Sequence, residues 1–168
     1  MTKDSFHKFF LDELRSCYDA KNQIIQACPD LLQSIEYPEL KKELKHHVDD
    51  CNEQLSRLKA IFRQLGLNGE RKTSIAMQGL IEEGRQLISS CNESIIRDAA
   101  IITAVQRITH YEMAVYGALR TFAKELGYDE IAELLQKSLN EEAHTNEVLK
   151  KIAIGGFFTS GVNHKAAV

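Results

Sequence analysis

The chain has 168 residues, of which 43% are hydrophobic and 27% are charged, and its formal net charge is −3. This length fits one domain with a substantial core, and the lack of a basic stripe with interleaved aromatic residues argues against a nucleic-acid partner. Because no apolar run approaches the roughly 18 residues of a membrane span and the N-terminus lacks a signal-peptide core, we expect a cytoplasmic protein.

The first long helix is predicted from about residue 5 to residue 35, with Pro29 as a kink. Apolar residues recur along it at steps of three and four, and Lys21 is the one charged residue in the stripe. The second long helix should begin at Pro38, since proline suits the first helical position, and should stop at Gly66. The first stripe consists of Phe10, Leu14, Cys17, Lys21, Ile24, Cys28, Leu31 and Ile35.

Polar residues lie along one edge of the apolar stripe of the second helix. His47, Asp50 and Gln54 follow one another at steps of three and four, so they share a face. A shorter amphipathic segment over about residues 73–90, with Thr73 as its cap, is expected to form a crossover to the third long helix.

Two carboxylates interrupt apolar stripes in the second half of the chain. Glu112 lies in the middle of the third long helix, predicted over about residues 93–126, and Glu142 in the middle of the fourth, over about residues 129–153. An unpaired ionised carboxylate in an apolar interior costs several kcal/mol or more. We therefore expect a cation opposite Glu112.

Four long amphipathic helices with a helical crossover between the second and the third are typical of an all-α, ferritin-like four-helix bundle. No alternation typical of strands competes with this interpretation. We place the bundle at residues 1–154 and a flexible C-terminal tail at residues 155–168.

The polar residues of these stripes also form a candidate metal site. Ferritin-like carboxylate proteins hold two metal ions with a Glu from each of two helices and a Glu-x-x-His from each of the other two, and such ligands suit iron or manganese. The candidate ligands here are Glu112, Glu142, His47 and Asp50, with the last two in reversed order.

Several motifs support this interpretation and occur along the chain in one order. They are the crossover stretch Ala76-Met77-Gln78-Gly79-Leu80-Ile81-Glu82-Glu83, then Arg97-Asp98-Ala99-Ala100, His110-Tyr111-Glu112, Tyr116-Gly117 and Leu126-Gly127-Tyr128. In this order they resemble the bacterial YciF/YciE ferritin-like family, and the resemblance covers nearly the whole chain apart from the tail. It implies a cytosolic four-helix bundle, a homodimer associated with stress responses, a dimetal centre, and no established activity.

The family pattern implies metal-site carboxylates at Glu112, Glu142 and Asp50 and a histidine at His47. It usually has Asp and Glu at two first-helix positions, where this chain has Ser16 and Lys21. A change from Glu to Lys alters the local charge by two units and places a cation where a metal would lie. We therefore predict that the Lys21 ammonium pairs with Glu112 and Glu142 in a metal-free core, and that any bound metal is one ion rather than a pair.

Simpler interpretations stay open for several of these residues. Lys21 could extend its ammonium into solvent, and His47 could be a hydrogen-bonded core histidine. Glu141 and His144 lie off the stripe of the fourth helix, so we expect both to be exposed.

Three function classes follow from these residues. The first is a structural or interaction protein with a degenerate site, which we favour, and the second is an iron- or manganese-dependent dimetal oxidase. A thiol-dependent enzyme comes third, because no cysteine is visibly paired with an activating histidine. Three of the four cysteines lie on apolar faces, which predicts buried thiols in a reducing compartment rather than disulfides or a zinc site. The four are Cys17, Cys28, Cys51 and Cys91.

Overall fold

The computed structural model describes residues 3–156 and 159–168 and confirms an all-α bundle. Its helices within these ranges are α1 Lys3–Gln33, α2 Pro38–Gln64, α3 Ile75–Ser89, α4 Ser94–Glu125, α5 Asp129–Ile154 and α6 Val162–Ala166. Two short strands, β1 Gly155–Gly156 and β2 Thr159–Ser160, pair in an antiparallel hairpin. The predicted crossover is α3, and none of the described helices combines the length and the apolar character needed to cross a membrane.

The ends of the helices follow residues that the sequence marks. Pro38 is the first residue of α2, as predicted. Gly66 and Gly127 follow the last turns of α2 and α4 with φ of +68° and +81°, a left-handed conformation that favours glycine. Ser74 rather than Thr73 caps α3, since its hydroxyl accepts from a backbone N–H three residues later. The Thr73 prediction was wrong by one residue because both types are good caps.

The core has two main apolar clusters with polar side chains between them along each long helix. One cluster contains Phe10, Leu14, Leu58, Phe62, Tyr116, Leu119 and Leu135. The other contains Ile35, Leu40, Leu44, Ile101, Val105, Leu149 and Val162. The buried polar residues Lys21, His47, Glu112 and Glu142 lie in sequence between members of the two clusters, so the helices bring them to one level. We call these four residues the polar layer.

Arg97 and Asp98 hold the turn between α1 and α2. The Asp98 carboxylate is only 1% exposed and accepts hydrogen bonds from the backbone nitrogens of Tyr37 at 2.8 Å and Glu36 at 3.3 Å. The side-chain Nε of Arg97 donates to the backbone oxygen of Ser34 at 3.3 Å. Because the first N–H groups of a helix have no partner within it, Asp98 supplies acceptors at the start of α2. The role of this motif in the structure is therefore to fix a turn.

The described part of residues 155–168, where the sequence predicts a tail, contains the hairpin and α6. Val162 is 0% exposed and belongs to the second apolar cluster, and α6 lies against α4 and α5. A Cβ atom on Gly161 would come within 2.3 Å of the backbone nitrogen of Gly155, so only glycine fits this approach. One apolar residue and strands of two residues are too short a pattern to recognise by periodicity.

Candidate functional site

Lys21 lies at the centre of the polar layer, between α4 and α5. Its Nζ is 2.6 Å and 2.7 Å from the two carboxylate oxygens of Glu112 and 3.2 Å from Oε1 of Glu142. The three side chains are 0%, 2% and 0% exposed, respectively. The predicted pairing of Lys21 with both carboxylates is confirmed, and the alternative in which its ammonium reaches solvent is wrong.

The pKa values of the layer follow from the contact of one ammonium with two carboxylates. Burial, and then the charge of Glu142, raise the pKa of Glu112 to about 7. Burial also acts to raise the pKa of Glu142, but the charge of Lys21 and then that of His47 outweigh it, so the pKa of Glu142 is lowered. Burial alone would lower the pKa of Lys21, but Cys51 and the two carboxylates raise it well above its usual value.

These directions describe a layer that reaches charge balance with one proton. With Lys21 as an ammonium, one proton held by the two carboxyls brings the net charge of the three groups to zero. Two interacting carboxyls share their titration, and the raised pKa belongs to the pair as much as to Glu112. Burial of unbalanced charge is costly, which explains why a proton is retained here at a pH where an exposed glutamate has lost it.

His47 and Cys51, one helical turn apart on α2, complete the surroundings of the lysine. The Cys51 sulfur is 3.7 Å from Lys21 Nζ and 3.7 Å from His47 Nε2, and the Thr145 hydroxyl is 3.3 Å from His47 Nδ1. His47 is thus a core histidine with partners at both ring nitrogens. The sequence did not reveal this contact of Cys51 with His47, but burial raises the pKa of Cys51, so the thiol stays protonated and the histidine does not activate it.

A cluster of three metal-ligand types lies on one side of the lysine. Ligand atoms of His47, Cys51 and Glu142 are all within 4.8 Å of one another, and the three residues are buried. Among the described residues, Oε2 of Glu142 has no hydrogen-bond partner. The sequence did not single out Cys51, because a cysteine in an apolar stripe is interpreted as a small apolar residue.

Three of the four predicted ligands, His47, Glu112 and Glu142, lie in the polar layer, but only His47 and Glu142 belong to the cluster with Cys51. Asp50 is part-exposed, and its carboxylate lies 3.8 Å from Nε2 of His46 at the surface of α2, outside this cluster. A complete dimetal centre does not fit these residues, because the ammonium of Lys21 occupies the position between Glu112 and Glu142. The residue of α1 that faces both carboxylates is a cation rather than a third carboxylate.

A second polar contact joins α2 to α5 beside the layer. Glu141 forms an ion pair with the Arg57 guanidinium and accepts from Nε2 of buried Gln54 at 3.1 Å. Glu141, expected to be exposed, is only 26% exposed, so that prediction was wrong, whereas His144 is exposed as predicted. The buried thiols were predicted correctly for three cysteines, with Cys91 partly exposed.

The fold and the site define an all-α bundle protein with a charged layer buried across its middle. Residues 5–167 match the family described as Domain of unknown function (DUF892), and the chain belongs to this family. The chain is 34% identical to Protein YciF of Escherichia coli (strain K12) over 167 residues, which cover 99% of this chain and 98% of that protein. The predicted resemblance to YciF is confirmed.

Solved structures agree with this assignment. YcfI, a putative structural protein from Rhodopseudomonas palustris, superposes with a TM-score of 0.86 and 33% identity over 88% of this chain and 94% of its own. The E. coli stress protein YciF superposes with a TM-score of 0.84 and 34% identity over 89% and 94%. A protein from Xanthomonas campestris pv. campestris, 19% identical with a TM-score of 0.68 over 87% and 89%, shares the fold.

Proposed function

We propose that this protein is a ferritin-like bundle with a structural or interaction role in stress, in which Lys21 replaces the metal ions of a dimetal centre. The observation that carries the proposal is the distance of 3.2 Å or less from Lys21 Nζ to both Glu112 and Glu142. Two relatives, one described as a stress protein and one as a putative structural protein, support the role. No catalytic step is part of the proposal.

Electrostatics argue against a metal ion beside this lysine. Two unit positive charges 4 Å apart repel by about 4 kcal/mol at an effective dielectric constant of 20, and a divalent ion doubles that figure to about 8 kcal/mol. Loss of the lysine proton would relieve the repulsion, but the raised pKa of Lys21 opposes it. A metal ion therefore needs Lys21 to leave the layer.

Metal content tests the proposal directly. Purified protein, never exposed to chelators, is incubated with ferrous iron, manganese or zinc, desalted and measured by elemental analysis. Wild type should retain almost none, whereas Lys21→Glu, which restores a carboxylate facing Glu112 and Glu142, should retain at least one ion per chain. Lys21→Met removes the ammonium without adding a ligand and is the matched control. Stoichiometric metal in the wild type would overturn the proposal.

A second candidate function is binding of one metal ion by His47, Cys51 and Glu142. The specific observation in its favour is the buried Oε2 of Glu142, which lacks a partner among the described residues and belongs to a three-ligand cluster. A thiolate, an imidazole and a carboxylate suit zinc better than iron or manganese. Cobalt(II) titration separates the candidates: a thiolate-to-cobalt absorption band in the wild type that is absent from Cys51→Ser would favour this function.

We also propose that the protein is a cytoplasmic homodimer. The family resemblance supports a dimer, and light scattering after size exclusion tests it. A monomer mass across a hundredfold range of concentration would contradict it.

A further inference from the structure

A cavity of about 340 Å³ opens between α1, α2, α3 and α4, on the side of the bundle that carries the crossover. Its walls include Ile24 from α1, Leu44 from α2 and Val105 from α4, each no more than 4% exposed. Partly exposed aliphatic residues from α3, such as Ile81 and Ile88, continue the lining towards solvent. The cavity therefore extends from the surface into the core.

Small residues on α1, α3 and α4 leave this space open. Ala27, Gly84 and Ala104 all line it, and a Cβ atom on Gly84 would come within 3.2 Å of the Ala104 side chain. The crossover helix thus lies close to α4, and the volume that larger side chains would fill stays empty between α3 and the first two helices. Packed interiors rarely leave a void of this size, which lies at the lower end of the range for ligand pockets.

Polar groups are confined to the mouth and the floor. At the floor, both ring nitrogens of His47 have partners in the core, so the imidazole offers the cavity no free nitrogen. At the mouth, Arg85 and Arg97 outnumber the one acidic lining residue, Asp30. Arg97 is engaged with the α1–α2 turn, but exposed Arg85 forms no ion pair with a residue in the described ranges.

We propose that this cavity binds a small amphiphile with a single anionic head group and an unbranched aliphatic tail, of the medium-chain carboxylic acid class. The tail occupies the aliphatic walls, and the carboxylate pairs with the guanidinium of Arg85, which can bind it through two hydrogen bonds. A folded peptide is too large for the cavity, and a polar ligand would lose its hydrogen bonds against the aliphatic walls. The cavity shares His47 with the candidate metal ligands, but Lys21 does not line it, so Lys21→Glu should bind the same ligand.

A series of carboxylates of increasing chain length tests whether the aliphatic tail binds in the cavity. Displacement of a dansyl-undecanoate probe, read by fluorescence in a protein without tryptophan, gives affinities for octanoate, decanoate and dodecanoate. Each methylene that enters the cavity should strengthen binding by up to about fourfold, and the gain should stop once the cavity is full. Absence of saturable binding, or equal affinities across the series, would overturn the proposal.

Two variants test the location. Ala27→Phe places a ring in the cavity and should weaken decanoate binding at least tenfold, whereas Ala114→Phe, the same change at an exposed position of α4, should not. Arg85→Glu should weaken decanoate tenfold or more and leave the uncharged alcohol decanol unaffected, with Arg63→Glu as the exposed control. If Ala27→Phe fails to fold, the comparison of decanoate with decanol binding by Arg85→Glu tests the location of the site by itself. Equal loss for acid and alcohol, or none for either, would refute the assignment.

Discussion

Replacement of Lys21 by methionine measures what the buried ammonium contributes to stability. Methionine has a similar length and no charge, so Lys21→Met leaves the carboxyls of Glu112 and Glu142 in the core without their cation. Both acids are almost fully buried, at 2% and 0% exposure. Loss of one partner from a buried ion pair typically costs about 3–5 kcal/mol.

The loss of stability in Lys21→Met, and its dependence on pH, can be calculated from the protonation of Glu142. The variant is least unstable when Glu142 takes up a proton, and because Glu112 also needs one above its pKa of about 7, the cost worked for Glu142 alone is a minimum. At pH 7.5, protonating an acid with an unfolded pKa of 4.5 spans about three pH units at roughly 1.4 kcal/mol each, or about 4 kcal/mol. At pH 5.0 the same proton costs only about 0.7 kcal/mol, so most of the destabilisation should disappear.

Urea unfolding followed by circular dichroism at the two pH values is the assay. Lys21→Met should lose about 4 kcal/mol relative to wild type at pH 7.5 and about 1 kcal/mol at pH 5.0. Lys59→Met, at an exposed position of α2, controls for removal of a lysine and should change little at either pH. A loss under about 1 kcal/mol at pH 7.5, or one that does not depend on pH, would refute the claim that the ammonium neutralises the layer.

Two further predictions follow from the same contacts. The folded pKa of Glu112 lies above its unfolded value, so its proton stabilises the fold at low pH and wild-type stability should fall by up to about 3 kcal/mol as pH rises from about 4.5 to 7. Glu112→Gln should remove this slope in urea unfolding, and an unchanged slope would assign it to other groups. Asp98→Ala, which leaves two backbone N–H groups at the start of α2 without acceptors, should cost about 1–3 kcal/mol, while exposed Asp49→Ala should cost almost nothing. Equal losses would show that the turn does not need the Asp98 carboxylate.

The centre of the polar layer could be predicted because each of its residues interrupts an apolar stripe. Lys21, Glu112 and Glu142 each occupy a stripe position where a hydrophobic side chain is expected, and burial of three such residues forces them to meet. Because the lysine is positive and both glutamates are negative, these buried side chains are expected to pair. Periodicity also predicted the long helices, and proline or glycine marks the start of α2 and the ends of α2, α4 and α5.

Other parts of the site were beyond what periodicity can resolve. His47, Asp50 and Gln54 lie within about 60° of one another around the axis of α2, so the sequence could not decide which of these polar residues faces the core. The structure buries His47, Cys51 and Gln54 and leaves Asp50 part-exposed. The cavity could not be predicted from the sequence for a different reason. A void depends on which small residues from separate helices face one another, and only the packing of the helices determines that.

The charge count of the layer connects the metal question to pH. Below pH 7 the proton on Glu112 and the ammonium of Lys21 balance Glu142, and an added cation would create excess positive charge in a dry interior. Above the pKa of Glu112, which burial and the charge of Glu142 raise to about 7, the charges of the two carboxylates exceed that of the Lys21 ammonium by one unit. A cation is attracted most strongly under that condition, while the raised pKa of Lys21 keeps its ammonium in place. Metal content measured at pH 8 is therefore the more demanding test of a lysine-neutralised core, because the layer then has its greatest electrostatic attraction for an ion.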